Sequence, residues 1–272
     1  MTEVAAPTLI SSRDNPLIAE LRKLNASSTV YRKQGRIWLE GDHLCRAALA
    51  RGFRPAFGLF SESFWPVAQS ILAQAAIKNI VIPDALFGQI SGLESPAKMG
   101  FVLDLPESTA LQPDAATVIL DRVQDAGNVG SILRSAAAFG FFQVIALKGT
   151  AALWSPKVLR AGMGAHFALQ LMEGIEAGAL NALTVPLVVT SSHEGALLGS
   201  AACAALPSPC AWVMGHEGQG VSRALMDKSA FKVRIGQPGG EESLNVAAAA
   251  AICLHASAIC AITPAQKVKT KG

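Results

Sequence analysis

No Cys-x-x-Cys pair occurs in this chain, and its five cysteines (Cys45, Cys203, Cys210, Cys253 and Cys260) form an odd set. That argues against both a disulfide framework and a structural zinc site, so no metal is expected and a reducing cytoplasm is the expected compartment. A secretory leader is also missing: the opening MTEVAAPTLISSRDNP has neither a charged start nor an apolar core of signal-peptide length. Charge of one sign is scarce, with a net of +3 over 272 residues, which sets aside a general polyanion coat. Long apolar runs are scarce as well. Residues 246–262 (VAAAAAICLHASAICAI) carry no formal charge, but they number only 17, are mostly alanine and are interrupted by His255 and Ser257. Such a stretch is short for a membrane span and reads as a buried or subunit-facing helix, so no membrane partner is expected.

What is present points to two α/β domains. A hydrophobic content of 51% over this length is ample for two cores. Residues 1–60 hold nine Lys/Arg against five acids, a net of +4, and the rest is close to neutral. That local excess suits phosphate contact by one domain, and equally a solvated helix face. Residues 1–105 alternate helix and strand. Asn15-Pro16 is an N-cap and first-turn pair before a helix with Leu17, Ile18, Leu21 and Leu24 on one side. Strands are expected near residues 37–39, 57–60, 80–82 and 100–105, with helices over 42–50 and 66–78. The stretch PESTALQPDAA in 106–116 reads as a linker. From 117 to 264, continuous apolar strands, expected near 118–120, 143–147, 168–172, 187–190, 211–214 and 232–235, alternate with helices, one of them over 174–183, the pattern of a parallel sheet covered on both faces. Residues 265–272 read as a basic tail.

Three segments of the second half share one form, an apolar strand that breaks into a Gly-rich polar loop and then a helix: LDRVQDAGNVGSILRSAAAFG from Leu120, VMGHEGQGVS from Val213 and VRIGQPGGEESLNVAAAAA from Val233. Parallel α/β proteins put their sites in such loops. In the first, Gly127 and Gly130 suggest a tight turn, and Asn128 stands where a helix would begin, to cap it or to act in a site. Arg134 comes six residues later, as a surface ion-pair partner or a substrate contact. The second is not His-Glu-x-x-His, because Gly220 stands at the second His, and it is not Gly-x-Gly-x-x-Gly. Glu217 there either anchors the loop's own amides or organises a pocket. In the third, Ser243 and Asn245 flank Leu244 before the last helix, to cap it or to face ligand.

The order Asn128...Arg134, Gly215-x-Glu217, Ser243-x-Asn245 resembles the SpoU/TrmH family of RNA ribose 2'-O-methyltransferases. The resemblance implies a C-terminal parallel-sheet SPOUT domain with a deep trefoil knot, S-adenosylmethionine as cofactor, and a homodimer in which both subunits contribute to each RNA site. It also implies that Asn128 holds Arg134 at the reacting ribose, with Glu217, Ser243 and Asn245 completing the catalytic set. Gly215 would contact the cofactor through its backbone, Ile235 and Leu244 would bracket the adenine, and Thr190 would lie nearby. Where the family commonly reads Ile-Pro-Met, this chain has Ile235, Gly236 and Gln237. The opening residues Ser12, Asn15, Pro16, Leu24, Tyr31, Arg32, Glu40 and Gly41 resemble the family's N-terminal substrate-binding domain, an α/β fold shared with certain ribosomal proteins. Ribosomal RNA is therefore the expected substrate. The alternatives are transfer RNA, a catalytically silent RNA-binding or ribosome-assembly protein, and, more remotely, a small-molecule methyltransferase.

Overall fold

The computed structural model describes residues 6–68, 72–191, 194–199, 206–239 and 243–262. They fall into two compact units, one within residues 1–108 and 151–168, the other within 109–150 and 169–272. The segment 151–168, read from the sequence as part of the 117–264 domain, groups with the first unit. Cys203 and the tail 265–272 lie outside the described residues.

The first unit contains β1 (Thr8–Leu9), α1 (Pro16–Ala26), α2 (Val30–Gln34), β2 (Arg36–Glu40), α3 (Asp42–Ala50), β3 (Phe57–Ser61), α4 (Trp65–Ala68), β4 (Lys78–Ile82), α5 (Asp84–Ile90) and β5 (Met99–Asp104). The strands make one sheet in the order β1-β4-β3-β5-β2. β1 and β3 run parallel to β4, and β5 is antiparallel to β3 and β2. The Asn15 side chain accepts from Leu17 N at 2.9 Å and Pro16 comes next, so α1 starts where the cap places it and buries Ile18, Leu21 and Leu24. The core is aromatic. Trp38 packs on Phe87 with centroids 6.3 Å apart, and Phe60 meets Phe101 edge-on at 6.4 Å. Gly100 makes room for this core, since a Cβ there would lie 2.1 Å from the Trp38 ring. In the later segment, Ser155 Oγ caps the helix Pro156–Gly162, and the Phe167 ring meets that of Phe53 at a tilt, with centroids 5.0 Å apart, and lies near Trp154.

Two expectations change here. The helix expected over 66–78 is described only as the short Trp65–Ala68 turn of helix, with residues 72–75 in turns and β4 already begun at Lys78. Its apolar spacing serves local turns in which Leu72 and Ala73 are buried. α5 was not anticipated. It is seven residues long, so its apolar face, Leu86, Phe87 and Ile90, spans too few turns to show a period.

The second unit contains β6 (Thr117–Asp121), helix Ala126–Ala138, β7 (Gln143–Leu147), β8 (Gln170–Ile175), β9 (Leu187–Thr190), β10 (Ala196–Leu197), β11 (Ala211–Gly215), helix Arg223–Lys228, β12 (Phe231–Arg234) and the last helix, Val246–Ile262. All seven strands are parallel, in the order β10-β12-β9-β11-β6-β7-β8. β6, β7 and β11 are buried along their whole length, as unbroken apolar strands require. Ile119, Ile145, Val189 and Val213 centre the core on one face. On the last helix, Ser257 Oγ accepts from the buried Trp212 Nε1 at 2.9 Å, tying that helix to β11. The helix expected over 174–183 is instead a 3-10 segment, Ala177–Ala182, after a strand that continues to Ile175. Gly174 at φ 70° and Gly178 leave this stretch with little helical preference.

Candidate functional site

Four neighbouring strands, β12, β9, β11 and β6, point the same way, so their C-terminal ends form one edge of the sheet. Register makes this concrete: Val233 pairs with Thr190, and Gly215 with Asp121. Neighbouring strands lie about 4.8 Å apart, so the three loops that carry the motifs leave this edge side by side.

The first loop leaves β6 through Arg122, held at φ 61°. Its backbone N donates to Thr150 Oγ1 at 3.2 Å, its Nε pairs with Asp121 at 3.0 Å, and its Nη1 donates to Gln219 Oε1 at 2.9 Å. The helix opens with Asp125, whose side chain accepts from Asn128 N at 2.7 Å. Gly127 and Gly130 therefore lie inside the helix rather than in a turn, and Asn128 is in the first turn, not at the cap. Asp125 precedes them and takes that role because its carboxylate reaches the free amide.

The second loop folds back on itself. His216 and Gly220 exchange backbone hydrogen bonds at 3.1 and 2.8 Å. His216 Nδ1 accepts from Gly218 N at 2.9 Å and Gln219 N at 3.2 Å, which makes the ring a brace for the loop. Gly215 has no room for a side chain: a Cβ would lie 2.2 Å from Gly220 C and Val221 N. Asp121, buried at the end of β6, accepts from Ser222 N at 2.6 Å and closes the loop's far side.

Glu217 projects from this loop to the first one. Its carboxylate accepts from Gln124 N at 3.1 Å, Asp125 N at 3.0 Å and Asn128 Nδ2 at 3.1 Å. It thus anchors the amides that open the first motif. Partial burial pushes its pKa up, but the donors from Asn128, Asp125, Gln124 and its own backbone outweigh this and bring it down to about 2.

The third segment joins the same set. Asn245 Oδ1 accepts from Ala247 N at 2.9 Å and Ala248 N at 3.2 Å, capping the last helix, and its Nδ2 donates to Asn128 Oδ1 at 2.9 Å. The polarity of this chain is forced. Because the Asn245 oxygen must face the helix amides, its nitrogen faces Asn128; the Asn128 oxygen then receives it and the Asn128 nitrogen faces the anionic Glu217. One relay therefore runs from the start of the last helix, through Asn245, Asn128 and Glu217, to the amides that open the first helix.

The relay leaves some expected members out. The expected hold of Asn128 on Arg134 is not present, because the Asn128 amide is spent on Glu217 and Asn245. Arg134 lies about 9 Å further along the helix axis, exposed, and no described residue bonds its guanidinium. Ser243 is exposed and joins no hydrogen bond among the described residues. Thr190 and Ile235 are half-buried at the ends of β9 and β12, and Leu244 is exposed beside Asn245. Gln237 turns its Oε1 into a buried place with no partner. A Cβ on Gly236 would come within 3.1 Å of Leu197 Cδ1, so the absence of a side chain lets this loop lie close to β10. Asp121, Arg122 and Gln219 were missed in the sequence. An aspartate ending an apolar strand was the available signal; nothing local marks the other two. Among the described residues, no group of three or more His, Cys, Asp or Glu could hold a metal ion, and no helix is long and apolar enough to cross a membrane.

Comparison with known proteins gives a consistent picture. The sequence model of the SpoU rRNA Methylase family matches residues 115–255. An uncharacterized tRNA/rRNA methyltransferase of Synechocystis is 29% identical over 90% of this chain and 92% of its own length. The 23S rRNA (guanosine(2553)-2'-O)-methyltransferase RlmP of Bacillus subtilis is 28% identical over 90% of this chain and 97% of its own. A solved structure described as an RNA 2'-O ribose methyltransferase superposes with a TM-score of 0.78 at 29% identity, covering 94% of this chain and all of the other.

Proposed function

This chain belongs to the SpoU rRNA methylase family, and from that premise we propose that it transfers a methyl group from S-adenosylmethionine to a ribose 2'-hydroxyl of ribosomal RNA. The observation that carries the reading is the relay Asn245–Asn128–Glu217, which joins all three motifs at the ligand-binding edge of the sheet. The likeness to full-length RNA methyltransferases supports it.

The residues at this edge fit the cofactor. Ile235 and Leu244 offer apolar surface for a base, Thr190 a hydroxyl, and Gln237 a buried acceptor that needs a donor. When bound, S-adenosylmethionine supplies a methyl on a sulfonium, already a strong alkylating centre. The protein's part is then to hold the hydroxyl in line with that methyl, and positioning of this kind supplies much of the acceleration. The relay fixes the loops that form the pocket wall. Arg134, exposed and uncommitted, grips a phosphate of the RNA and offsets the charge that develops on the ribose oxygen. It does not act as the base, since a guanidinium stays protonated below a pH of about 12. The proton leaves to phosphate or water. Recognition of a 2'-hydroxyl makes DNA a non-substrate.

The same reading places the C-terminal segment in a deep trefoil knot and pairs two copies of the chain. Supporting the pairing, the last helix exposes Ala248, Ile252, His255 and Ile259 in one line, and the helix Ala126–Ala138 exposes Gly127, Ser131, Arg134 and Ala138 in another. These stripes at heptad spacing suit close helix packing between subunits, and would bring Arg134 to a partner's site. The first unit binds RNA through its basic surface, in the cytoplasm.

The test is mass-spectrometric analysis of nucleosides after incubating unmodified ribosomal and transfer RNA with the protein and labelled S-adenosylmethionine. A labelled 2'-O-methylnucleoside in ribosomal RNA, lost in Arg134→Ala, is the expected result. Label in transfer RNA alone moves the substrate to that pool, and label in neither favours a silent RNA-binding protein. Arg134→Lys should lose at least about tenfold in turnover, because an ammonium cannot reproduce the guanidinium's planar two-point grip.

A further inference from the structure

Gln237 carries the second unit's lone buried side-chain oxygen or nitrogen without a hydrogen-bond partner, among the described residues. Folded proteins rarely leave a buried carboxamide oxygen unpaired, and an exception calls for an explanation. Here the surroundings supply one. Gln237 lies three residues beyond the end of β12, in the loop at the C-terminal edge where β9 and β11 also end. Gly236 lets that loop settle against Leu197. The half-buried Ile235 and the exposed Leu244 provide apolar surface at the same edge. An acceptor in a dry place of this kind matches the edge of a base better than a hydrated hydroxyl or ammonium group.

Resting on the cofactor reading above, we propose that Gln237 Oε1 accepts a hydrogen bond from the exocyclic amino group of the adenine of S-adenosylmethionine, and so selects an aminopurine cofactor. The departure from Ile-Pro-Met at Gly236 and Gln237 then adds a side-chain contact to the pocket. Gly236 brings the loop close, and Gln237 provides the acceptor.

Isothermal titration with two non-reactive ligands tests this: S-adenosylhomocysteine and its 6-deamino analogue, in which hydrogen replaces the amino group. The wild-type protein should bind the deamino ligand about tenfold more weakly, the size expected for one buried hydrogen bond. In Gln237→Leu, affinity for S-adenosylhomocysteine should fall about tenfold and the two ligands should become equal within about twofold. Gln237→Met, close in shape, repeats the measurement should the leucine variant melt early. Unchanged affinity for S-adenosylhomocysteine in both variants, or discrimination that persists in them, overturns the proposal while leaving the enzyme assignment intact. A wild-type protein that binds neither ligand overturns the cofactor reading and this proposal together.

Discussion

Each unit uses a glutamate to bind neighbouring chain, and the two are placed differently: Glu40 ends a strand and Glu217 sits in a loop. In the first, Glu40 is buried at the end of β2, where its carboxylate accepts from the Ser91 hydroxyl and from Gly92 N at 3.2 Å. In the second, Glu217 is exposed and accepts from two backbone amides and Asn128. The buried carboxylate holds the turn that follows α5, whereas the exposed one joins two loops at the C-terminal edge of the sheet and keeps a solvent-facing side free. The orphan polar atoms divide between the units. Among the described residues, Asn25, Gln34, Trp38, Asn79 and His166 carry theirs in the first unit, and Gln237 carries its own in the loop after β12 of the second.

Removing each carboxylate gives the largest effect and the clearest break. Glu217→Ala should lower methyl transfer by about 10²-fold, since it frees both loops that form the pocket wall, with only a small fall in melting temperature. Glu40→Ala should do the reverse, costing about 1 to 3 kcal/mol of stability through unpaired donors while turnover per folded molecule stays near wild type. If Glu40→Ala abolished turnover in protein that remained folded, the contrast between the two carboxylates would be lost.

A smaller change sharpens the second unit's side of the comparison. Asn245→Asp keeps an acceptor for Ala247 N and Ala248 N, so the last helix should stay within about 0.5 kcal/mol of wild type. The aspartate cannot donate to Asn128, and Asn128 cannot turn round without setting its oxygen against Glu217. Turnover should therefore drop about tenfold with unchanged stability. Equal losses of both would mean that Asn245 is a helix cap and nothing more.

The smallest effect is in the response to acid. His166 is buried with Nε2 2.9 Å from Leu153 O, and burial lowers its pKa to about 4 from 6.5. The unfolded chain takes up that proton first, so the first unit should weaken as pH falls from about 6.5 toward 4. Glu217 is depressed instead, so its contribution is complete above its ordinary 4.5 and is lost only as pH falls toward about 2. A melting scan should show acid weakening near pH 5 that disappears in His166→Phe. A slope unchanged in that variant would assign the proton to another group.

Much of this architecture can be read along the chain, and the reasons differ by element. β7 and β9 end where the apolar runs end, and the Asp42–Ala50 helix stands between its glycines, because each is decided by neighbours a few residues away. The seven-residue α5 and the 3-10 turn at Ala177–Ala182 are too short for a period to declare itself. Asn128, Glu217 and Asn245 stand out along the chain as motif residues, but the bonds that join them do not. Asn128 meets Glu217 across 89 positions and Asn245 across 117, and only the strand order brings those ends together. Arg122 was silent for the same reason: Gln219, its partner, lies 97 residues on.

The segment from Ala151 to Ala168 has a consequence for how this protein is made. A ribosome delivers residues 1–108 first, yet the unit they build also takes Trp154, His166 and Phe167, which emerge after β6 and β7 of the other unit. The first unit must therefore wait, with the side of Phe53 that meets Phe167 uncovered, until more than half of the chain has been synthesised. A gene fragment stopped at the linker would encode an unfinished object, and an insertion between Thr150 and Ala151 would tax both units at once.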